Sequence, residues 1–134
     1  MTSWKNNNTL ESRRLAEEVL DSPKKTRKVV ARDKDHLRQL IMNRIEKRGP
    51  DCDLNDIDVR RITDMSYLFY GLTSYFNGDI SQWDVSNVED MAYMFKGSDF
   101  NGDISDWDTS NVKYMTRMFY NSPLMGKEPS WYKA

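Results

Sequence analysis

A single cysteine, Cys52, and a single histidine, His36, are scattered among 134 residues, and that scarcity excludes several function classes at once. One cysteine forms no internal disulfide, and one of each residue falls short of a Cys/His zinc site. A nucleophile–base–orienter constellation has little to draw on, so the sequence reads as non-enzymatic. No cofactor-binding motif is present either. Missing too are the run of about eighteen apolar residues that a membrane span needs and, in MTSWKNNNTLESRR, the apolar centre of a secretion signal. The expectation is a protein without membrane contact in the cytoplasm of a bacterial or phage-infected cell.

Charge is abundant, but it is unevenly placed. Residues 1–50 hold 13 Lys+Arg against 7 Asp+Glu, whereas residues 51–134 hold 7 against 14. A basic head precedes an acidic body.

Within that body one sentence is written twice. NGDISQWDVSNVEDMAYMF at 77–95 returns as NGDISDWDTSNVKYMTRMF at 101–119, with Ile80 over Ile104, Trp83 over Trp107, Met91 over Met115, Met94 over Met118 and Phe95 over Phe119. DCDLNDIDVRRITDMSYLF, from Asp51, follows the same pattern 26 residues earlier, the extra residues falling in Leu72–Tyr75. Gly126 and Trp131 begin a fourth copy that Lys127, Glu128 and Pro129 interrupt. A unit this short buries too little to fold alone, so repetition points to stacking.

The spacing of Ile80, Trp83 and Val85 predicts a short strand entered through a bend. That of Val88, Met91, Met94 and Phe95 predicts a short helix started by Ser86 with Glu89 three residues on. Gly78 and Gly102 are expected to turn the chain back at positive φ. The predicted class is therefore α/β: a short solenoid of three strand-helix coils of ~24 residues each over 51–121, like a leucine-rich repeat. A strand at Lys28–Arg32 and a helix carrying Leu37, Leu40, Ile41 and Ile45, started by Asp33 or Asp35 and stopped at Gly49-Pro50, form an N-terminal cap over 24–50. Residues 122–134 form a C-terminal cap. Residues 1–23 are an arm, disordered at first, with a possible helix from Thr9 to Asp21.

Four groups of residues are candidate sites. Tyr67 and Tyr93, with Arg117 in the same column, fall between the apolar positions and point outward as a binding face for another protein, or as plain solvated surface. Asp79, Asp84, Asp103 and Asp108 form an acidic row, read as turn caps, as calcium ligands, or as carboxylates that imitate a phosphate backbone. Lys24, Lys25, Arg27 and Lys28 form a basic tract able to touch nucleic acid, or a solvated linker. Trp83 and Trp107 form a ladder in the core.

The motif xFNGDISxWDVSNVxDMxxMF resembles the repeat of the BspA-like, Mycoplasma-lipoprotein-type surface protein family, a relative of the leucine-rich repeat. The resemblance covers residues 51 to about 121, and DHLRQLIMNRIEKRGPDCDLNDIDV resembles the segment that introduces such arrays. It implies a right-handed α/β solenoid of bacteria, mycoplasmas or mobile elements, used in adhesion or protein binding. The leading expectation is a non-enzymatic binder of another protein, intracellular or phage-encoded. The alternatives are a mobile-element inhibitor of a nucleic-acid-handling immune protein, anti-CRISPR-like and acting by DNA mimicry, and a nucleic-acid binder working through its basic head.

Overall fold

A computed structural model describes residues 28–71 and 76–134. The expected arm with its Thr9–Asp21 helix, the basic residues Lys24, Lys25 and Arg27, and the Leu72–Tyr75 insertion lie outside the described residues. Among the described residues there are three regular elements: strand β1 at Val29–Val30, helix α1 at Lys34–Arg48 and strand β2 at Ile57–Asp58. The strands pair in parallel, Val29 with Ile57 and Val30 with Asp58, so the expected cap strand exists but is only two residues long.

Helix α1 forms where its signals place it. The Asp33 carboxylate accepts the His36 N–H at 2.8 Å, satisfying one of the first-turn donors that a helix leaves open. At the other end Gly49, at φ 94°, returns its N–H to the Ile45 carbonyl at 2.8 Å. Leu37 and Ile41 are buried, and Leu40 and Ile45 are packed against the same core. Arg44 is buried with them, its guanidinium 3.2 Å from Asp56. A lone buried charge would be costly, and this partner offsets it.

The expected strand-helix coils are not there. Among the described residues from Asp51 onward the only strand is β2, and no α-helix occurs. Neither the α/β assignment nor the leucine-rich-repeat-like solenoid describes this chain. The repeats are instead tiers built from turns, which we number 1 (51–71), 2 (77–98) and 3 (101–121). Single parallel bridges Asp53–Asp79, Asp64–Asp90 and Asp90–Tyr114 keep them in the register read from the sequence.

The reason lies in where the N–H groups go. In the stretch expected to be helical, Met94, Lys96 and Ser98 donate three residues back, to Met91, Tyr93 and Phe95. The alternate N–H groups of Met91, Tyr93, Phe95 and Gly97 leave the tier altogether and reach the carbonyls of Tyr114, Thr116, Met118 and Tyr120 at 2.8–3.0 Å. A helix would spend every donor within itself, whereas this ribbon spends half of them on its neighbour. The apolar spacing near 3.6 comes from consecutive turns. Ser86 does not cap a helix, because its hydroxyl and N–H both bond to Asp84.

Gly78 and Gly102 also differ from expectation. Positive φ occurs at Gly49, Gly71, Gly97 and Gly126 instead. What Gly78 supplies is a missing Cβ, since one would run into the Cys52 carbonyl oxygen of the tier beneath.

The core is a set of aromatic columns. Phe69, Phe95 and Phe119 stack at 5.1 and 5.6 Å between ring centroids, and Trp83, Trp107 and Trp131 at 6.4 and 6.2 Å. Each indole N–H crosses to a carbonyl one tier below: Trp83 to Leu54, Trp107 to Ile80 and Trp131 to Ile104, at 2.9, 3.1 and 2.9 Å. Tryptophan thus fills the core and satisfies its own polar atom there, which confirms the expected ladder and extends it into the fourth, incomplete copy.

Candidate functional site

The turn that starts each ribbon needs one residue in the left-handed region, and the sequence fills that place with large side chains. Tyr67, Tyr93 and Arg117 sit at φ 58°, 60° and 49°. Four residues on, the same need recurs and is met by Gly71, Gly97 and Asn121, residue types that tolerate it. For Tyr and Arg the conformation costs on the order of 1 kcal/mol each, yet all three tiers keep a long side chain there.

The left-handed positions aim these side chains along one outer face. The Tyr67 and Tyr93 rings stack at 4.8 Å and 9°, and Tyr70 meets Tyr67 edge-on at 5.7 Å. Lys96 Nζ lies 5.4 Å from the Tyr70 ring and 5.5 Å from the Tyr93 ring, and the Arg117 guanidinium lies 5.5 Å from the Tyr120 ring. These distances are in the range of cation–π attraction. Tyr67, Tyr70 and Tyr120 remain 43%, 46% and 44% exposed, and it is their grouping on one face, rather than the exposure of any single ring, that sets them apart from ordinary surface. The structure therefore brings Tyr67 and Tyr93 together and adds a parallel column, Tyr70, Lys96 and Tyr120, that apolar spacing does not mark. A signal for it exists: these residues follow the first column by three and keep its 26- and 24-residue offsets.

Behind the face, α1 closes the end of the ribbon. Arg38 donates to the carbonyls of Leu68, Tyr67 and Tyr70 at 2.8, 3.0 and 3.4 Å, and Lys34 to that of Ser66 at 3.2 Å. Those cations stand where a preceding tier would have offered N–H groups.

The acidic row serves local geometry. Asp79, Asp84, Asp103 and Asp108 each accept the N–H and the hydroxyl of the serine two residues on, at 2.9–3.0 and 2.6–2.7 Å. The serine hydroxyl bond is the largest cause holding each carboxyl below its ordinary value, with the serine N–H next. All four carboxylates face solvent, and no group of three or more His, Cys, Asp or Glu able to hold a metal ion occurs among the described residues.

Of the basic tract only Lys28 is described; it is exposed and lines a hollow with Asp58, Arg60 and Asp84. His36 accepts the Arg32 N–H at Nδ1, and Cys52 is buried, its thiol pushed up by that burial. These two residues lie near opposite ends of α1, roughly 18 Å of helix apart at 1.5 Å per residue. They do not form a pair.

The model of one protein family, described as "Mycoplasma protein of unknown function, DUF285", matches residues 39–133. That span takes in most of α1 and all three tiers. Comparison with curated proteins and with solved structures gives no match.

Proposed function

We propose that this chain, which belongs to that Mycoplasma family of unknown function, is a protein-binding module whose contact face is the double column Tyr67–Tyr93–Arg117 and Tyr70–Lys96–Tyr120. The finer kinship, to the repeats of BspA-like surface proteins, is part of the same proposal and rests on the FNGDIS and SNV motifs and the recurring Met-Phe pair.

One observation carries the reading: exposed tyrosines and cations are held in register by backbone conformations that cost energy and that folding alone would meet more cheaply with glycine. Tyrosine joins a broad apolar surface to a polar tip at little conformational cost, and both it and arginine recur as interface anchors. The lysine and arginine between the rings suit a partner surface that mixes apolar and acidic groups.

The test is capture from bacterial lysate by the tagged chain, beside a Tyr70→Ser/Tyr120→Ser variant that spares the strained positions and the fold. The expected result is a retained protein whose affinity falls at least tenfold in the variant, which is about 1.4 kcal/mol. Equal retention by both proteins, or recovery of salt-eluted nucleic acid alone, refutes the reading.

A further inference from the structure

The double column of tyrosines and cations has a repeat distance, and that distance selects what lies along it. Successive tiers stand 4.8 Å apart at the Tyr67 and Tyr93 rings and 5.1 and 5.6 Å apart down the buried phenylalanine column, so three tiers span about 10–11 Å. A partner crossing within one tier meets only a pair such as Tyr67 and Tyr70, whereas one running along the stack meets all three tiers. An extended strand offers a side chain on one side roughly every 6.6 Å, about 13 Å over two steps, and overshoots the face. An α-helix offers residues i, i+3 or i+4, and i+7 on one stripe over about 10.5 Å, one contact for each tier.

The backbone of the face favours the same choice. The Tyr67 and Tyr93 N–H groups are spent on the next tier, and those of Tyr70 and Lys96 on the carbonyls of Tyr67 and Tyr93. A strand added over tiers 1 and 2 would find none of these donors free, whereas a helix arrives with its own backbone satisfied and asks only for side chains.

Charge then fixes the register. In the second column Lys96 lies between Tyr70 and Tyr120, its Nζ held against the Tyr70 and Tyr93 rings. Among the described residues no carboxylate stands within ion-pair distance of it, although residues 51–134 hold twice as many acids as bases. Arg117 is placed differently, because Glu128 lines the hollow that it shares with Tyr120. Resting on the reading of this face as a protein contact, we infer that the segment it holds is an acidic amphipathic α-helix laid along the stack. Its apolar residues at i and i+7 cover Tyr70 and Tyr120, and an Asp or Glu at i+3 or i+4 meets Lys96.

The probe is a synthetic peptide of three heptads Leu-Gln-Ala-Glu-Glu-Gln-Ala, acetylated and amidated, titrated into the full chain and followed by residue-resolved amide shifts. The expected result is saturable binding with the largest shifts at 67–71, 93–97 and 117–121. Lys96→Gln is expected to weaken binding at least fivefold with the circular dichroism unchanged. A peptide with glutamine for every glutamate should lose a similar factor and bind both proteins equally, the coupling of one ion pair. Proline in place of the last alanine of the middle heptad keeps the charge but breaks the helix, and should weaken binding at least tenfold. No saturation up to about 1 mM, full binding by the proline peptide, or unchanged affinity in Lys96→Gln overturns the inference. The face is judged separately: lysate capture that still falls in Tyr70→Ser/Tyr120→Ser keeps the tyrosine face and removes only the helix, whereas equal capture removes both.

Discussion

Replacing Gly78 by alanine should damage this protein more than any other exchange of one hydrogen for one methyl. A Cβ there would overlap the Cys52 carbonyl oxygen and sit 2.9 Å from its carbonyl carbon and 2.7 Å from the Phe76 ring. The obstacle is backbone and cannot rotate away. It is also the acceptor for the Asp79 N–H at 3.2 Å, and Asp79 in turn accepts the Leu54 N–H at 2.9 Å. Relieving the overlap means parting tiers 1 and 2, which forfeits both bonds at about 1 kcal/mol each and adds about 1–3 kcal/mol for disturbed packing around Phe76. The expected loss is about 3–5 kcal/mol, a large share of the roughly 5–15 kcal/mol that holds a small domain. Two other glycines serve as controls. At Gly102 the Cβ meets only the Phe100 ring within 3 Å, which can tilt, and at Gly97 it meets open space with φ at +68°. Both should cost about 1–2 kcal/mol. Urea unfolding followed by tryptophan fluorescence orders the three variants, and a Gly78→Ala loss within about 1 kcal/mol of Gly97→Ala would refute the close-approach argument.

Tyr93→Gly should be more stable than Tyr93→Ala by about 1 kcal/mol, the reverse of the usual order, because both lose the ring but only glycine escapes the left-handed cost; urea midpoints decide it. Arg38→Met should destabilise by about 1–2 kcal/mol through the unanswered carbonyls of Leu68 and Tyr70, and amide exchange should quicken first at Leu68 and Phe69. Asp79, Asp84, Asp103 and Asp108 have folded values below the unfolded 3.8, so their contribution is complete above that value and disappears as pH falls through the folded ones. Urea midpoints should therefore be level from pH 7 to about 5 and decline below about 4, and a midpoint unchanged at about pH 2.5 contradicts the assigned turns.

The repeat, its register and the cap helix are legible in the sequence because each rests on side-chain burial, which spacing reports directly. Trp83 over Trp107 and Met94 over Met118 are apolar facts, and the structure stacks them accordingly. The helix expected at Val88–Phe95 is absent, because an unbroken series of turns presents almost the same apolar spacing as an α-helix. What separates the two is the destination of the Tyr93 and Phe95 N–H groups, and sequence spacing does not contain it. One hint is present: Gly97 and Asn121 share a column with Gly71, as a left-handed position demands. Of the proposed contact face, Tyr67, Tyr93 and Arg117 stand out by their place between apolar residues, whereas Tyr70, Lys96 and Tyr120 need the ribbon's true geometry. Gly78 draws notice in the sequence for the wrong reason, because close approach of a neighbouring tier and positive φ both select glycine.

The tryptophan N–H bonds carry a consequence for how such a protein changes length over generations. Each indole reaches down to the copy before it, and each ribbon reaches up to the copy after it, so every tier is both a socket and a plug. A duplicated tier spliced between tiers 2 and 3 would find both connections waiting and leave α1 and the final turns undisturbed. Families of this design should vary in length by whole tiers.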